Sequence, residues 1–268
     1  MEKIFHHKKE DRPKKNARII AITNQKGGVG KSTTAVNVSA YLSSYGHRTL
    51  LIDLDPQSNS TSGMGINLED INNSIYDVLI SNVDPHEVIM DTAYKNLWLL
   101  PSSIQLAGAE VELVSSLKRE YRLTEAVKKI KNEYDFIIID CPPALGLLTI
   151  NALSSAKEVI IPIQCEYYAL EGLGQLMNTI ELVRKNLNEN LKISGAIMTM
   201  YDSRTKLGEQ VIEEVRNYFQ DKMYKTIIPR NIRLSEAPSY GKPIIEYDPD
   251  CRGAQAYNNF TKEVIENG

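Results

Sequence analysis

The stretch Ile19-Ile20-Ala21-Ile22-Thr23-Asn24-Gln25-Lys26-Gly27-Gly28-Val29-Gly30-Lys31-Ser32-Thr33 decides the fold of this chain. The apolar run Ile19 to Ile22 reads as a buried strand. Ala35-Val36-Asn37-Val38-Ser39-Ala40-Tyr41-Leu42, beyond the glycines, reads as a helix that ends near Tyr45 with Gly46 just past it. A strand, a glycine-rich turn and a helix in that order make a phosphate-binding loop. Gly27, Gly28 and Gly30 are expected to take positive φ and let the backbone approach a phosphate closely. The loop N–H groups and the helix N-terminus then form an anion-binding nest. Lys31 adds a point charge for β- and γ-phosphates, and the Ser32 hydroxyl is placed to bind Mg²⁺.

The loop departs from the usual GxxxxGK[ST] at its start, where Gln25 replaces the first glycine and a second lysine, Lys26, follows. KGGxGK[ST] is the deviant Walker A pattern. Mg·ATP keeps net negative charge, and hydrolysis shifts charge onto the leaving oxygens; stabilising that shift is most of the catalytic task. Lys26 lies at the opening of the loop, from where it can point away from its own nucleotide. Reaching the γ-phosphate of a second subunit would make ATP the glue of a dimer. The alternative is a lysine that only adds to the local field.

Outward from the loop, apolar runs at 49–53, 96–100, 136–140, 159–163, 193–199 and 226–228 read as strands. Continuous runs of this kind suit parallel strands covered on both faces. Helical patterns are expected at 75–80, 86–92, 104–134 with a break near 121–124, 170–186, 208–219 and 253–266, and residues 231–250 are expected to be loop-rich. The alternation implies a doubly wound, mostly parallel α/β sheet with helices on both faces and the ligand at the strands' carboxyl ends. One domain is expected over 17–268, behind a basic, disordered arm at 1–16. Asp53, Asp55 and Asp140 end two of these strands or lie just beyond one, on the edge that carries the phosphate loop. Asp140, after four hydrophobes, takes the Walker B position and would hold Mg²⁺ through water. Asp53 would neighbour the metal, and Asp55 lies where an attacking water is held. Trp98 is expected in the core.

Of the 268 residues, 42% are hydrophobic and 24% charged, which is globular. No apolar run approaches the ~20 residues that span a bilayer, and the polar start shows no signal peptide. Cys141, Cys165 and Cys251 are widely spaced, which fits free thiols in a reducing cytoplasm and excludes a CxxC metal site. The net charge of −3 divides into +3 on residues 1–16 and −6 on the rest, so any DNA contact must come from a local patch. Between Met200 and Pro243 eight Lys/Arg face six acids, a weak signal by itself.

KGGVGKST, LLIDLDPQ with SNSTSGMG, FIIIDCPPALGLLTINAL, PIQCEYYALEGL and IIPRNIRLSEAPSYGKPI together resemble the ParA family of partitioning ATPases, in its chromosomal Soj type, over about residues 17–267. The resemblance implies a Mg·ATP-dependent sandwich homodimer that binds DNA without sequence preference, associates with the nucleoid in the cytoplasm, and is released when a ParB-type partner stimulates hydrolysis. It makes Lys26 the signature lysine, Lys31 the loop lysine, Ser32 the Mg²⁺ ligand, Thr33 an α-phosphate contact and Asp55 the water-positioning acid. Gly27, Gly28, Val29 and Gly30 complete the cradle, Pro229 and Asn231 would flank adenine, and Arg204 and Arg233 match DNA-contacting arginines. The basic arm is not part of the pattern. A membrane-cycling relative would need a basic amphipathic C-terminal helix, but residues 258–268 carry one lysine and two glutamates, so no membrane partner is expected. An iron–sulfur reductase would need two cysteines facing across a dimer axis, and a tyrosine autokinase a C-terminal tyrosine cluster. An ATP-gated scaffold with negligible turnover remains open.

Overall fold

The structure, a computed structural model, describes residues 16–267, so the arm expected at 1–16 lies outside the described residues but for the exposed Asn16. In chain order the strands are β1 (Arg18–Ile22), β2 (Thr49–Asp53), β3 (Met90–Asp91), β4 (Leu97–Leu100), β5 (Phe136–Asp140), β6 (Glu158–Gln164), β7 (Lys192–Tyr201) and β8 (Met223–Pro229). They form one sheet in the order β3-β4-β2-β5-β1-β6-β7-β8, parallel throughout except for β3, which runs antiparallel to β4 at the edge. The helices are α1 (Lys31–Ser44), α2 (Asn59–Gly63), α3 (Ile75–Ile80), α4 (Pro85–Val88), α5 (Leu106–Leu113), α6 (Arg122–Ile130), α7 (Leu147–Ser155), α8 (Leu173–Asn186), α9 (Lys206–Phe219), α10 (Ile232–Glu236), α11 (Ile244–Tyr247) and α12 (Arg252–Glu266).

Side chains alternate across a strand, and the central strands bury both sets. Ile19 and Ala21 of β1, with Leu50, Ile52, Ile137 and Ile139, join a core under α3, α5, α6, α7, α8 and α9. Ile20 and Ile22, with Leu51 and Ile138, join a second core under α1 and α12. This two-sided burial explains why the strands read as unbroken apolar runs. The register sets Ile22 beside Asp140 and Asp53 beside Asp140, which brings the ends of β1, β2 and β5 to one edge.

Four expectations needed correction. The helix expected at 86–92 stops at Val88: Asp84 caps it and Pro85 starts it, but Ile89 is extended, and Met90–Asp91 pairs with β4. The break in 104–134 falls earlier than 121–124; α5 ends at Leu113, Lys118 turns at φ 54°, and α6 begins at Arg122. Residues 231–250, expected to be loop-rich, hold α10, a 3-10 turn at Ala237–Tyr240 and α11. Trp98 is only half-buried, its ring flanked by Tyr134 and the Arg48 guanidinium at 5.6 and 5.1 Å.

The apolar face of α12, with Ala254, Tyr257, Phe260 and Val264, is buried in the second core, so it is not free for a membrane surface. Among the described residues no helix is long and apolar enough to cross a membrane. The Tyr41 hydroxyl of α1 donates to the Ala254 carbonyl at 2.8 Å, and Tyr257 Oη lies 3.1 Å from Thr34 Oγ1.

Gly195 marks the tightest seam in the sheet. β7 bulges beside β6, where Val159 pairs with Ile193 but Ile160 with Gly195. A Cβ on Gly195 would lie 2.5 Å from the Lys222 carbonyl and 2.7 Å from the Tyr224 ring. Neither is a flexible tip, so Gly195→Ala is expected to destabilise by about 1–3 kcal/mol through overpacking. Urea denaturation checks this; an unchanged midpoint would mean that β8 shifts freely.

Candidate functional site

β1 delivers the chain to the glycine loop and α1 leads it away, with Gly30 as the residue before the first turn. Gly28 and Gly30 adopt φ 74° and 87°, as the sequence suggested, whereas Gly27 does not take positive φ. The space where a Gly27 Cβ would stand is open, so its glycine keeps room above the loop rather than a special dihedral. Val29 turns inward and is buried, which anchors the loop's middle. Lys31 is buried too, and its ammonium donates to the Lys26 carbonyl at 3.2 Å. Desolvation lowers the Lys31 pKa, and the carboxylates of Asp140 and Asp55 oppose that shift.

Behind the loop stand three carboxylates in three different settings. Asp140 is fully buried; its Oδ2 accepts from the Ser60 hydroxyl at 2.7 Å, while Oδ1 has no hydrogen-bond partner. Burial raises the Asp140 pKa, against the effect of the Ser32 and Ser60 hydroxyls. An orphaned buried carboxylate oxygen beside a serine hydroxyl at a phosphate loop fits a Mg²⁺ site, because that ion takes one or two protein oxygens and leaves the rest to phosphate and water. Among the described residues no larger cluster of His, Cys, Asp and Glu could hold a metal by itself. Asp53 is equally buried, but both its oxygens are taken: Oδ2 by the Thr61 amide and hydroxyl at 2.8 and 2.7 Å, Oδ1 by the Asp55 amide at 3.2 Å. Burial and the nearby Asp140 charge raise its pKa. That setting lets Asp53 hold the loop after β2 and shape the field at Asp140. Asp55 lines the open pocket; its Oδ1 accepts from the Gln57 amide at 3.0 Å, and no described residue bonds its Oδ2.

Two adjoining cavities complete the site. One, of about 390 Å³, is lined by Gly27, Gly28, Gly30, Lys31, Ser32 and Asp55. The other, of about 470 Å³, lies between Pro229, Asn231, Ile228, Leu234, Pro238 and Tyr257. Gly30, Thr33, Met200, Leu234 and Pro238 border both, so the compartment of Lys31 and Asp55 opens onto a second one, an extended shape that suits a nucleotide. Asn231 has a structural task as well: its Oδ1 caps α10 through the Arg233 amide at 2.8 Å. The sequence reading missed Ser60 and Thr61, which hold the carboxylates, and Met200, Asn59 and Lys242, which line the phosphate compartment. The SNSTSGMG stretch held the only signal for the first pair.

Lys26 turns away from this pocket. Its ammonium forms an ion pair with Glu166 of the same chain, a residue not singled out in the sequence. Arg204 and Arg233 lie beyond the ends of β7 and β8. The Arg204 side chain is 84% exposed, and among the described residues it pairs with Asp202. Arg233 is half-exposed and pairs with Glu236 and Asp248. Cys141 is buried, and burial pushes its thiol pKa up, so it is not available to a cluster at a subunit boundary.

Strand, glycine loop, buried lysine and orphaned carboxylate define a P-loop nucleoside triphosphatase of the deviant Walker A class. A family model described as an AAA domain matches residues 17–193. The sporulation initiation inhibitor protein Soj of Bacillus subtilis (strain 168) is 60% identical over 251 residues, covering 94% of this chain and 99% of that protein. The chromosome partitioning protein ParA of Myxococcus xanthus (strain DK1622) is 52% identical, covering 92% and 88%. The chain belongs to the Soj/ParA family of chromosome-partitioning ATPases. A solved structure of cobyrinic acid a,c-diamide synthase from Mycobacterium smegmatis with bound ADP and magnesium matches with a TM-score of 0.83 at 38% identity, covering 93% of this chain and 94% of that one.

Proposed function

We propose that this chain binds Mg·ATP between the phosphate loop and the Pro229–Asn231 turn, dimerises around it, binds DNA without sequence preference, and lets go when a ParB-type partner stimulates hydrolysis. The observation that carries the nucleotide half is the joining of the Lys31 compartment to the Pro229 compartment through Gly30 and Thr33. The loop amides and Lys31 bind the phosphates, Thr33 stands at the α-phosphate, and Pro229 and Asn231 flank the base. Ser32 and Asp140 would hold Mg²⁺, with Asp53 behind them, and the ion when bound offsets phosphate charge. Asp55, with one free oxygen facing the pocket, orients the attacking water. Lys26 acts on the nucleotide of the other subunit, for which it must first leave Glu166. ATPase activity measured alone, with DNA, and with DNA plus a ParB-type partner tests the whole reading. Equal rates in all three would favour a scaffold that turns over negligibly.

The DNA surface rests on few cations. Arg204→Glu and Arg233→Glu each reverse one charge per subunit, hence two per dimer. Affinity is expected to fall alike on unrelated duplexes, and the salt dependence to become shallower by about 0.9 for each phosphate that the variant no longer neutralises. Arg204→Glu should cost more, because Arg233 already shares two carboxylates of its own chain. DNA titrations in Mg·ATP at several salt concentrations, on two sequences, check this. Wild-type affinity in both variants would move the surface elsewhere, with residues 1–16 the first place to look, and weakening on one sequence alone would indicate base readout.

A further inference from the structure

One side chain ties the phosphate loop to the segment that carries Arg204. Thr199, near the end of β7, is 2% exposed, and its hydroxyl donates to the Val29 carbonyl at 2.9 Å. Val29 is the inward-turned residue between Gly28 and Gly30, so this bond fixes the loop at its centre. The Thr199 backbone is held as well, its carbonyl accepting from the Cys165 amide at 2.9 Å. Met200, the next residue, borders both nucleotide cavities and sits at φ 56°. That is a left-handed conformation which a residue other than glycine rarely adopts. Strain of this kind persists only where the surroundings hold it, and it gathers at sites that move.

Beyond Met200 the two basic turns are stitched together. The Tyr201 carbonyl accepts from the Arg230 amide at 2.8 Å, which joins the end of β7 to the turn after β8. Arg204 follows on the first of these segments, oriented by its amide and guanidinium bonds to Asp202. Arg233 follows on the second, its amide capped by Asn231. A continuous chain of bonds thus runs from the glycine loop through one hydroxyl to β7, past a strained residue, and into both turns.

We propose that Thr199 is a positioning residue for the phosphate loop and that it couples nucleotide occupancy to the turns bearing Arg204 and Arg233. The coupling half rests on those arginines being the DNA surface; the positioning half does not. Thr199→Val keeps the branched shape that suits a strand but leaves the Val29 carbonyl without its donor. The bond is already made in the nucleotide-free loop, so its loss weakens ATP binding by letting the loop leave its binding position; where this bond is what holds the loop there, that corresponds to about tenfold in affinity. Thr199→Val is therefore expected to bind ATP about tenfold more weakly, and Thr199→Ser, which keeps the hydroxyl, to recover most of it. At saturating Mg·ATP, Thr199→Val is expected to bind DNA several-fold more weakly although no cation has changed, again with recovery in Thr199→Ser. Thermal melting verifies that each variant is folded, with Thr199→Ala the substitute should valine not be accommodated.

Wild-type ATP affinity in folded Thr199→Val would overturn the positioning role. Weaker ATP binding with unchanged DNA affinity at saturation would overturn the coupling, provided Arg204→Glu itself weakens DNA binding. If Arg204→Glu and Arg233→Glu both leave DNA binding intact, the DNA surface is misplaced, and the ATP measurement on Thr199 still decides its positioning role.

Discussion

Lys31→Ala is expected to abolish useful ATP binding, with a loss of at least about a hundredfold. Two charge-assisted hydrogen bonds to phosphate, each contributing about 1.5–3 kcal/mol, account for that size. Among the described residues no other cation stands ready to substitute. Lys26 is held by Glu166, and Lys242, which does line the compartment, leans toward Glu246 at 3.4 Å. The charges of the buried Asp140 and Asp55 carboxylates act on Lys31, so its removal would leave a bound phosphate facing uncompensated negative charge. Calorimetric titration of the variant with Mg·ATP is the measurement, beside a thermal melt to show that it is folded. Micromolar affinity in a folded Lys31→Ala protein would remove the lysine from the phosphate site.

Asp55→Ala is expected to separate binding from turnover. A positioned side chain that handles the attacking water typically contributes about 10²–10⁴-fold to rate, and hydrolysis should fall within that range. ATP affinity should hold, because Asp55 faces the pocket with a free oxygen and adds negative charge rather than a phosphate contact. The backbone around it is held by other means: the Ser102 hydroxyl donates to the Asp55 carbonyl at 2.7 Å, and Ser102 is itself tied to Thr61. With hydrolysis slowed, the ATP-bound dimer should outlast the wild-type one by the same factor. Sedimentation at intervals after adding Mg·ATP follows its decay. A variant that stays monomeric, or that decays as fast as wild type, would take Asp55 out of the water-positioning role.

The fold was legible because its decisive signals are local. Four hydrophobes in a row at β5 and a glycine loop before α1 need only a short window of sequence to be recognised. Val88 to Asp91 misled because a single residue, Ile89, leaves the helix, and what takes over is pairing to β4 several residues later. At the candidate site, Lys31 and Asp140 could be singled out from spacing alone. Ser60, Thr61 and Thr199 could not, because a hydroxyl in a turn or a strand carries no mark of the atom it will meet. Ser60 meets a carboxylate 80 residues away, and Thr199 a carbonyl 170 residues away. Glu166 escaped for the same reason, since its partner Lys26 is 140 residues upstream. Gly27 shows the converse error: a glycine in the right motif was credited with a dihedral when only the vacant space mattered.

The packing of α12 on α1 sets a timetable for the ribosome. Tyr41 bonds to Ala254, 213 residues later, and Thr34 to Tyr257 across a similar interval. At about 5–20 residues per second, translation from one to the other takes on the order of ten to forty seconds. During that interval β1, β2 and β5 are already available to cover one side of α1, but the part that α12 will cover has no partner yet. The second cavity, lined by Pro229, Leu234 and Tyr257, is likewise complete only once the last part of the chain has been made. The same wait leaves a sticky helix on a polysome, where neighbouring nascent copies of one message stand close enough to meet.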